Sequence, residues 1–365
     1  MLQHYVPNSG LEQARPDITH NEHKPSFSNQ VVRNDEQVVG SSGLAAWDKN
    51  PPIVGLKKGA LLGGIRNTGM SVSNCENLFK SGAQDWAFET LNISLDAQPK
   101  TCWCFMNPSG RPSYTRELLR DINSLQLAIQ SYCLGEMRAG NEHPIQYYVL
   151  ASQVDGIFNL GGDLALFGRL IREQDRAALR AYAYACIDVL YNNAISFGLP
   201  VVTIGLVQGD ALGGGFEAAL SCNVIIAEKS AKFGLPEIVF NLFPGMGAYT
   251  LLRRKLNAAT AQRMILSGRL YSADELQEMG IVDVVCDDGK GQEAVAQYIK
   301  QNRRRQNALS AICQVAQVAQ PLSYAELASI TEIWVDTALK VSQLDLRTME
   351  RLKSAQDRRI GNNCK

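Results

Sequence analysis

The chain has 365 residues, is 45% hydrophobic and 7% aromatic, and carries 36 basic against 36 acidic side chains. That length allows one large domain with an appendage, or two domains, and the apolar content supports a sizeable core. The charge balance gives no electrostatic basis for binding nucleic acid or an anionic membrane, and no stretch reaches the roughly 18–20 unbroken apolar residues of a membrane span.

Residues 1–80 are rich in Asn, Ser, Gln, Gly and Pro and show no sustained hydrophobic period. They read as a disordered or loosely docked extension. Within it, the patch at 51–65 (PPIVGLKKGALLGGI) is apolar enough to dock onto something, such as a neighbouring subunit. The start MLQHYVPNSG has no apolar signal core, and the nine cysteines lack a CxxC pair. Free thiols in a reducing cytoplasm are the expectation. Cys102 and Cys104 share one face of a predicted strand and read as buried packing rather than metal ligands, since no histidine lies near them.

From Trp86 the pattern becomes globular. Strands are predicted at 87–95 and 101–106, joined by Asp96-Ala97-Gln98-Pro99. A helix follows over 115–137, with Leu118, Leu119, Ile122, Leu125 and Ile129 on one stripe. Residues 145–151 form a short apolar strand of the buried kind. Asn159-Leu160-Gly161-Gly162-Asp163 then turns into a helix, and another helix covers 175–193.

A second buried strand at 200–207 leads to Gly213-Gly214-Gly215, which opens a helix through Ser221. A strand at 223–227 precedes the turn Phe233-Gly234-Leu235-Pro236-Glu237, and Pro244-Gly245-Met246-Gly247 leads into the next helix. A strand at 282–286 closes the set. Everything from about 291 reads as helix, with Leu327, Ile330, Trp334, Ala338 and Val341 on one stripe; Arg303-Arg304-Arg305 reads as a solvated helix end. Alternating strands and helices imply a mostly parallel, right-handed βαβ arrangement with a helical tail, and no internal repeat is visible.

Two carboxylates stand out. Glu217 is the sole charge between Asp210 and Glu228, and Glu237 the sole charge between Lys232 and Arg253. A carboxylate among apolar residues is costly unless paired, hydrogen-bonded or protonated, so the two read as an acid/base pair. The flanks Phe216, Ala218, Ala219, Ile238 and Val239 argue against exposed capping glutamates. Gly162 and Gly214 each lie at a strand-to-helix transition, where unpaired amides aimed at one point would form an oxyanion hole. The plainer alternative is that these glycines only permit tight turns and close packing. No Lys-Ser or Lys-Thr follows the glycines, which sets aside a phosphate loop, and their spacing misses the dinucleotide fingerprint. The four histidines all lie at or before position 143, which disfavours a Ser-His-Asp machine or a His-rich metal site.

GLVQGDALGGGFEAALSCNVIIAE followed by FGLPEIVFNLFPGMGAY resembles the signature of the crotonase (enoyl-CoA hydratase/isomerase) superfamily, and FNLGGDLALF resembles its first oxyanion-hole segment. One branch is more similar still, the diffusible-signal-factor synthases that make cis-2-unsaturated fatty acids. FNLGGDLALF, GGGFEAALSC, FPGMGAY, LYSADEL, ITEIWVDTA and LRTMERL carry that likeness over about 86–358.

The resemblance implies an α/β crotonase-like (ClpP/crotonase) fold of repeated ββα units with a C-terminal helical region. It implies a core at 81–290 and helices at 291–365 that complete an acyl pocket, and it offers no counterpart for the extension at 1–80. Glu217 and Glu237 become the catalytic pair, the Gly162 and Gly214 amides the oxyanion hole, and Leu212, Gly213, Met246, Trp334 and Leu352 the substrate-binding residues. Without the resemblance, Leu212, Met246, Trp334 and Leu352 would read as ordinary core. The implied enzyme is cytoplasmic, a homo-oligomer (trimer or hexamer), and needs no metal or cofactor. It dehydrates a 3-hydroxyacyl thioester of acyl-carrier protein or CoA and hydrolyses the thioester to the free acid. The rivals are an ordinary enoyl-CoA hydratase of fatty-acid degradation and a catalytically silent scaffold of the same fold. A peptidase of the related fold fails on the absent histidine.

Overall fold

The computed structural model describes residues 88–363, so the extension at 1–80, its patch at 51–65 and the first three histidines lie outside the described residues. Strands β1 (Leu91–Asp96) and β2 (Thr101–Met106) form an antiparallel hairpin. Helix α1 (Arg116–Arg138) starts where expected. Thr115 caps it by accepting the Leu118 amide at 3.2 Å, and the predicted stripe is buried.

Strands β3 (Tyr147–Ser152), β5 (Val202–Val207) and β7 (Val224–Glu228) are buried along their whole length. With β10 (Val284–Cys286) they complete a six-stranded sheet of order β1-β2-β3-β5-β7-β10, parallel except for the first pair. Alternation places Tyr148 and Leu150 in the main core on one face, and Tyr147, Val149 and Ala151 in a second cluster on the other. That second cluster is covered by Val295 and Ile299 of α8 (Gly291–Asn302). Burial on both faces explains why these strands read as continuous apolar runs.

A smaller sheet positions the site. Its strands β4 (Ile157–Asn159), β6 (Asp210–Leu212) and β8 (Lys232–Gly234) lie side by side in parallel, and β9 (Leu270–Ser272) closes it antiparallel to β8. Each of β3, β5 and β7 is followed by one of these short strands and then by a helix. The helices are α2 (Leu164–Arg172), α4 (Gly214–Leu220) and, after β8, the 3₁₀ turn Pro236–Phe240. The unit is therefore ββα and repeats in space, although no sequence repeat marks it. Because β4, β6 and β8 are parallel neighbours, their three exits come together at one edge.

Helix α3 (Arg176–Ala194) follows α2 and packs on α1, while α5 (Ala248–Lys255), α6 (Ala258–Ser267) and α7 (Ala273–Glu278) lead to β10. Beyond α8, the exposed Arg303–Arg305 segment is a 3₁₀ turn into α9 (Gln306–Ala319). Then come α10 (Tyr324–Ala338), packed on α3, and α11 (Gln343–Asn363), packed on α2. The architecture is the α/β crotonase-like one with a helical C-terminal region.

Candidate active site

Two glycine turns meet backbone to backbone at the exits of β4 and β6. Gly161 has φ +86° and gives its amide to the Asn159 side chain at 2.8 Å. A Cβ on Gly161 would stand 2.7 Å from the Leu212 carbonyl oxygen and 2.9 Å from the Gly214 nitrogen, so only glycine permits this approach. The next amides, of Gly162 and Gly214, donate to no described residue. Both residues line the same cavity, which encloses about 600 Å³ of space partly continuous with solvent.

Glu217 lies in the first turn of α4 and is 1% exposed. Its Oε1 accepts the Met246 and Ala248 amides, each at 2.8 Å. The Pro244-Gly245-Met246-Gly247 segment thus wraps its backbone donors around one carboxyl group. Glu237 sits on the 3₁₀ turn at the exit of β8. The residue as a whole is half-buried, yet its Oε2 is enclosed and has no hydrogen-bond partner. Its neighbour Val239 is 56% exposed, which corrects the reading of that flank as buried. The short turn points the acidic side chain inward and the apolar one outward.

Burial pushes the Glu237 carboxyl up from its ordinary range, against a pull from its own backbone amide. Burial also pushes Glu217 up, reinforced by the charge of Glu237 and opposed by the amides of Ala248, Met246 and Gly247. Two buried carboxyls whose charges interact titrate as one system. Near neutral pH such a pair can hold one proton between them, and one member can accept a proton while the other donates.

Gly213, Met246, Trp334 and Leu352 line the cavity together with both glutamates. Trp334 packs against Phe167 with ring centroids 5.1 Å apart, and a Cβ on Gly245 would stand 2.5 Å from its indole. Leu212 does not reach the lining. It belongs to a small apolar cluster with Ile157 and Leu160, and of these Leu160 takes the place at the wall.

Sequence reasoning missed Phe167, Tyr182, Cys186 and Gln356, which also line the cavity. They stand on three different helices, and nothing in their local pattern separates them from core positions. His143 is half-buried and lies away from the lining. Among the described residues no group of three or more His, Cys, Asp or Glu is placed to hold a metal ion, and the cysteines are free. No helix of the described residues is long and apolar enough to cross a membrane. The arrangement as a whole can place a carbonyl oxygen before two free amides and a pair of carboxyls beside its neighbouring carbons, in largely apolar surroundings.

A family model described as enoyl-CoA hydratase/isomerase matches residues 121–333. The chain is similar to the mitochondrial methylglutaconyl-CoA hydratase of Rattus norvegicus, with 30% identity over 191 residues, covering 52% of this chain and 55% of that protein. It thus spans about half the length of the curated relatives it matches. Among solved structures it resembles an enoyl-CoA hydratase from Bacillus halodurans, with TM-score 0.58, 23% identity, and 71% of this chain and 99% of that chain covered. It also resembles Pseudomonas aeruginosa DspI, with TM-score 0.52, 24% identity, and 69% of this chain and 96% of that chain covered.

Proposed function

The chain belongs to the enoyl-CoA hydratase/isomerase family, and from that premise we propose that it dehydrates a 3-hydroxyacyl thioester to the 2-enoyl thioester and then hydrolyses the thioester to a free cis-2-unsaturated acid. The observation that carries this reading is the pair of buried carboxyls, Glu217 and Glu237, in one cavity with the free amides of Gly162 and Gly214.

In this reading the substrate carbonyl oxygen accepts both amides, which lowers the cost of negative charge as the α-carbon loses its proton. One glutamate takes that proton; the C3–O bond breaks, and the other glutamate supplies the proton that leaves with the hydroxyl as water. The two amides held by Glu217 favour its charged form, whereas Oε2 of Glu237 meets no donor. The pair holds one proton between its two members, and in hydration one glutamate activates water while the other protonates the α-carbon. Dehydration reverses these roles. In the second stage water attacks the thioester carbonyl over the same amides, and the thiol leaves.

CoA or the phosphopantetheine of a carrier protein serves as the substrate's handle, and no step calls for a resident metal or cofactor. Met246, Trp334 and Leu352 line the acyl part, and Gly213 lets the backbone approach it. A cytoplasmic homo-oligomer belongs to the same reading. The stretch 306–325 carries no charge, and Ile312, Val315 and Val318 on α9 are each more than half exposed, a face a second copy would cover.

The synthase branch rests on the sequence segments at 158–167, 213–222, 243–249, 270–276, 330–338 and 346–352. The likeness to a methylglutaconyl-CoA hydratase favours a second reading, reversible hydration without hydrolysis. Incubation with a 3-hydroxydodecanoyl thioester, with mass spectrometry of the products, separates the two: free 2-enoic acid is expected from the synthase and only enoyl thioester from the hydratase. Deleting residues 1–80 separates both from a silent scaffold, because an enzyme keeps its turnover.

A further inference from the structure

The direction of the Gly162 amide depends on the loop before α1, because the Gly161 carbonyl in the same peptide is held by the Tyr114 amide. Gly162 lies in an irregular segment between β4 and α2 and touches the loop before α1 through a single bridge to Tyr114. Around it, the Tyr114 amide donates to the Gly161 carbonyl at 2.8 Å, and the Leu160 amide to the Pro112 carbonyl at 2.8 Å. Beyond Gly162 the backbone bond that would continue this ladder is replaced by a side chain. The phenol of Tyr182, on α3, accepts the Asp163 amide at 3.1 Å and donates to the Tyr114 carbonyl. One hydroxyl thus ties together the residue after Gly162 and the residue opposite it.

We propose that Tyr182 is a positioning residue for the thioester carbonyl: its hydroxyl, bonded to Asp163 N and Tyr114 O, anchors the Gly162–Asp163 peptide and the Tyr114 segment whose amide holds the Gly161 carbonyl, and through both it steadies the Gly161–Gly162 peptide that aims the Gly162 amide into the cavity. The inference rests on the acyl-thioester reading of the site. The ring is held from its other side by Phe167, edge to face at 5.2 Å, and Phe167 packs against Gly162 so closely that a Cβ there would stand 2.6 Å from it. The phenol is buried and lines the cavity, and burial pushes its ionisation well above the ordinary range. It therefore remains a donor to Tyr114 throughout the working pH range. An oxyanion donor contributes only when its direction is fixed before charge develops, so a loosened peptide loses part of what the amide supplies.

The test uses the full chain and a chromophoric cinnamoyl-CoA thioester, whose absorption moves to longer wavelength when its carbonyl is polarised. Wild type is expected to shift the bound probe. Tyr182→Phe, which keeps the ring and removes one oxygen, is expected to lose at least half of that shift. Its kcat on the enoyl or 3-hydroxyacyl thioester should fall about tenfold with KM within about twofold, a fraction of the 10²–10³ lost when an oxyanion donor is removed outright. Tyr184→Phe, which removes a phenol on the same helix outside the cavity lining, should retain the shift. If Tyr182→Phe does not fold, 3,5-difluorotyrosine placed at 182 alters the hydroxyl's bonding in the intact ring and should still change the shift. An unchanged shift and kcat in Tyr182→Phe, an unchanged shift with the fluorinated residue, or equal losses in Tyr182→Phe and Tyr184→Phe each overturn the inference while leaving the thioester reading intact. A probe that wild type binds without any shift contradicts the thioester reading itself, and the inference falls with it.

Discussion

Glu217 and Glu237 share a cavity with unequal support: Oε1 of Glu217 accepts two backbone amides at 2.8 Å, while Oε2 of Glu237 accepts none. An enclosed carboxyl oxygen without a donor is an open position for a proton or for a substrate group. In the proposed reaction this asymmetry sets the two residues apart.

Glu217→Gln and Glu237→Gln should each lower the rate of thioester hydration or dehydration by about 10²–10⁴, the usual contribution of a positioned acid or base. Steady-state kinetics on matched folded proteins check this. Thermal melting should show neither variant destabilised, because glutamine keeps the shape of the protonated acid.

The same burial that suits the pair to catalysis should cost stability, with a definite sign. An unfolded glutamate ionises near 4.3, and burial raises Glu237 above that value in the folded chain. Between the two values the folded state binds more protons than the unfolded state, so stability is lost as pH rises through the window. Below it the contribution vanishes. Glu237→Gln removes this loss, so its melting temperature should exceed that of wild type by more at pH 8 than at pH 4. A constant difference across that range contradicts the raised ionisation of Glu237.

Gly213→Ala should be harmful on two counts. Gly213 has φ +52°, where a side chain is strained by about 1–3 kcal/mol. Its Cβ would also stand 2.5 Å from Oε1 of Glu237. Loss of melting temperature together with a collapse of kcat is expected, and a fully active, equally stable variant contradicts the geometry.

Leu352 lies on α11 and forms part of the cavity wall. Leu352→Trp should narrow that wall, lowering kcat/KM for a dodecanoyl-length substrate at least tenfold while sparing a four-carbon one. A competition assay read by mass spectrometry measures the ratio directly.

Much of the fold was legible because long periodic segments carry strong signals. The stripe from Leu118 to Ile129 defined α1, and the unbroken apolar runs of β3 and β5 marked strands buried on both faces. The three-residue strands β4, β6 and β8 escaped, since so short a run shows neither alternation nor turn spacing of its own. That omission hid the reason why Gly162, Gly214 and Glu237 converge, which is the parallel order of these strands. Glu217 was visible because its apolar neighbours are truly buried. Glu237 was visible for a different reason, since Val239 beside it faces outward. The helical members of the wall, Phe167 and Tyr182 among them, come together only through tertiary packing and left no local sign.

The most direct test of the acid/base pair is exchange of the α-hydrogen of a bound acyl thioester in D₂O, followed by mass spectrometry. Wild type should incorporate deuterium at C2 of a 3-hydroxyacyl thioester, and Glu217→Gln and Glu237→Gln should each slow that incorporation by about two orders of magnitude or more. Wild-type rates of exchange in both single variants would contradict the assignment of Glu217 and Glu237 as the proton-transferring pair.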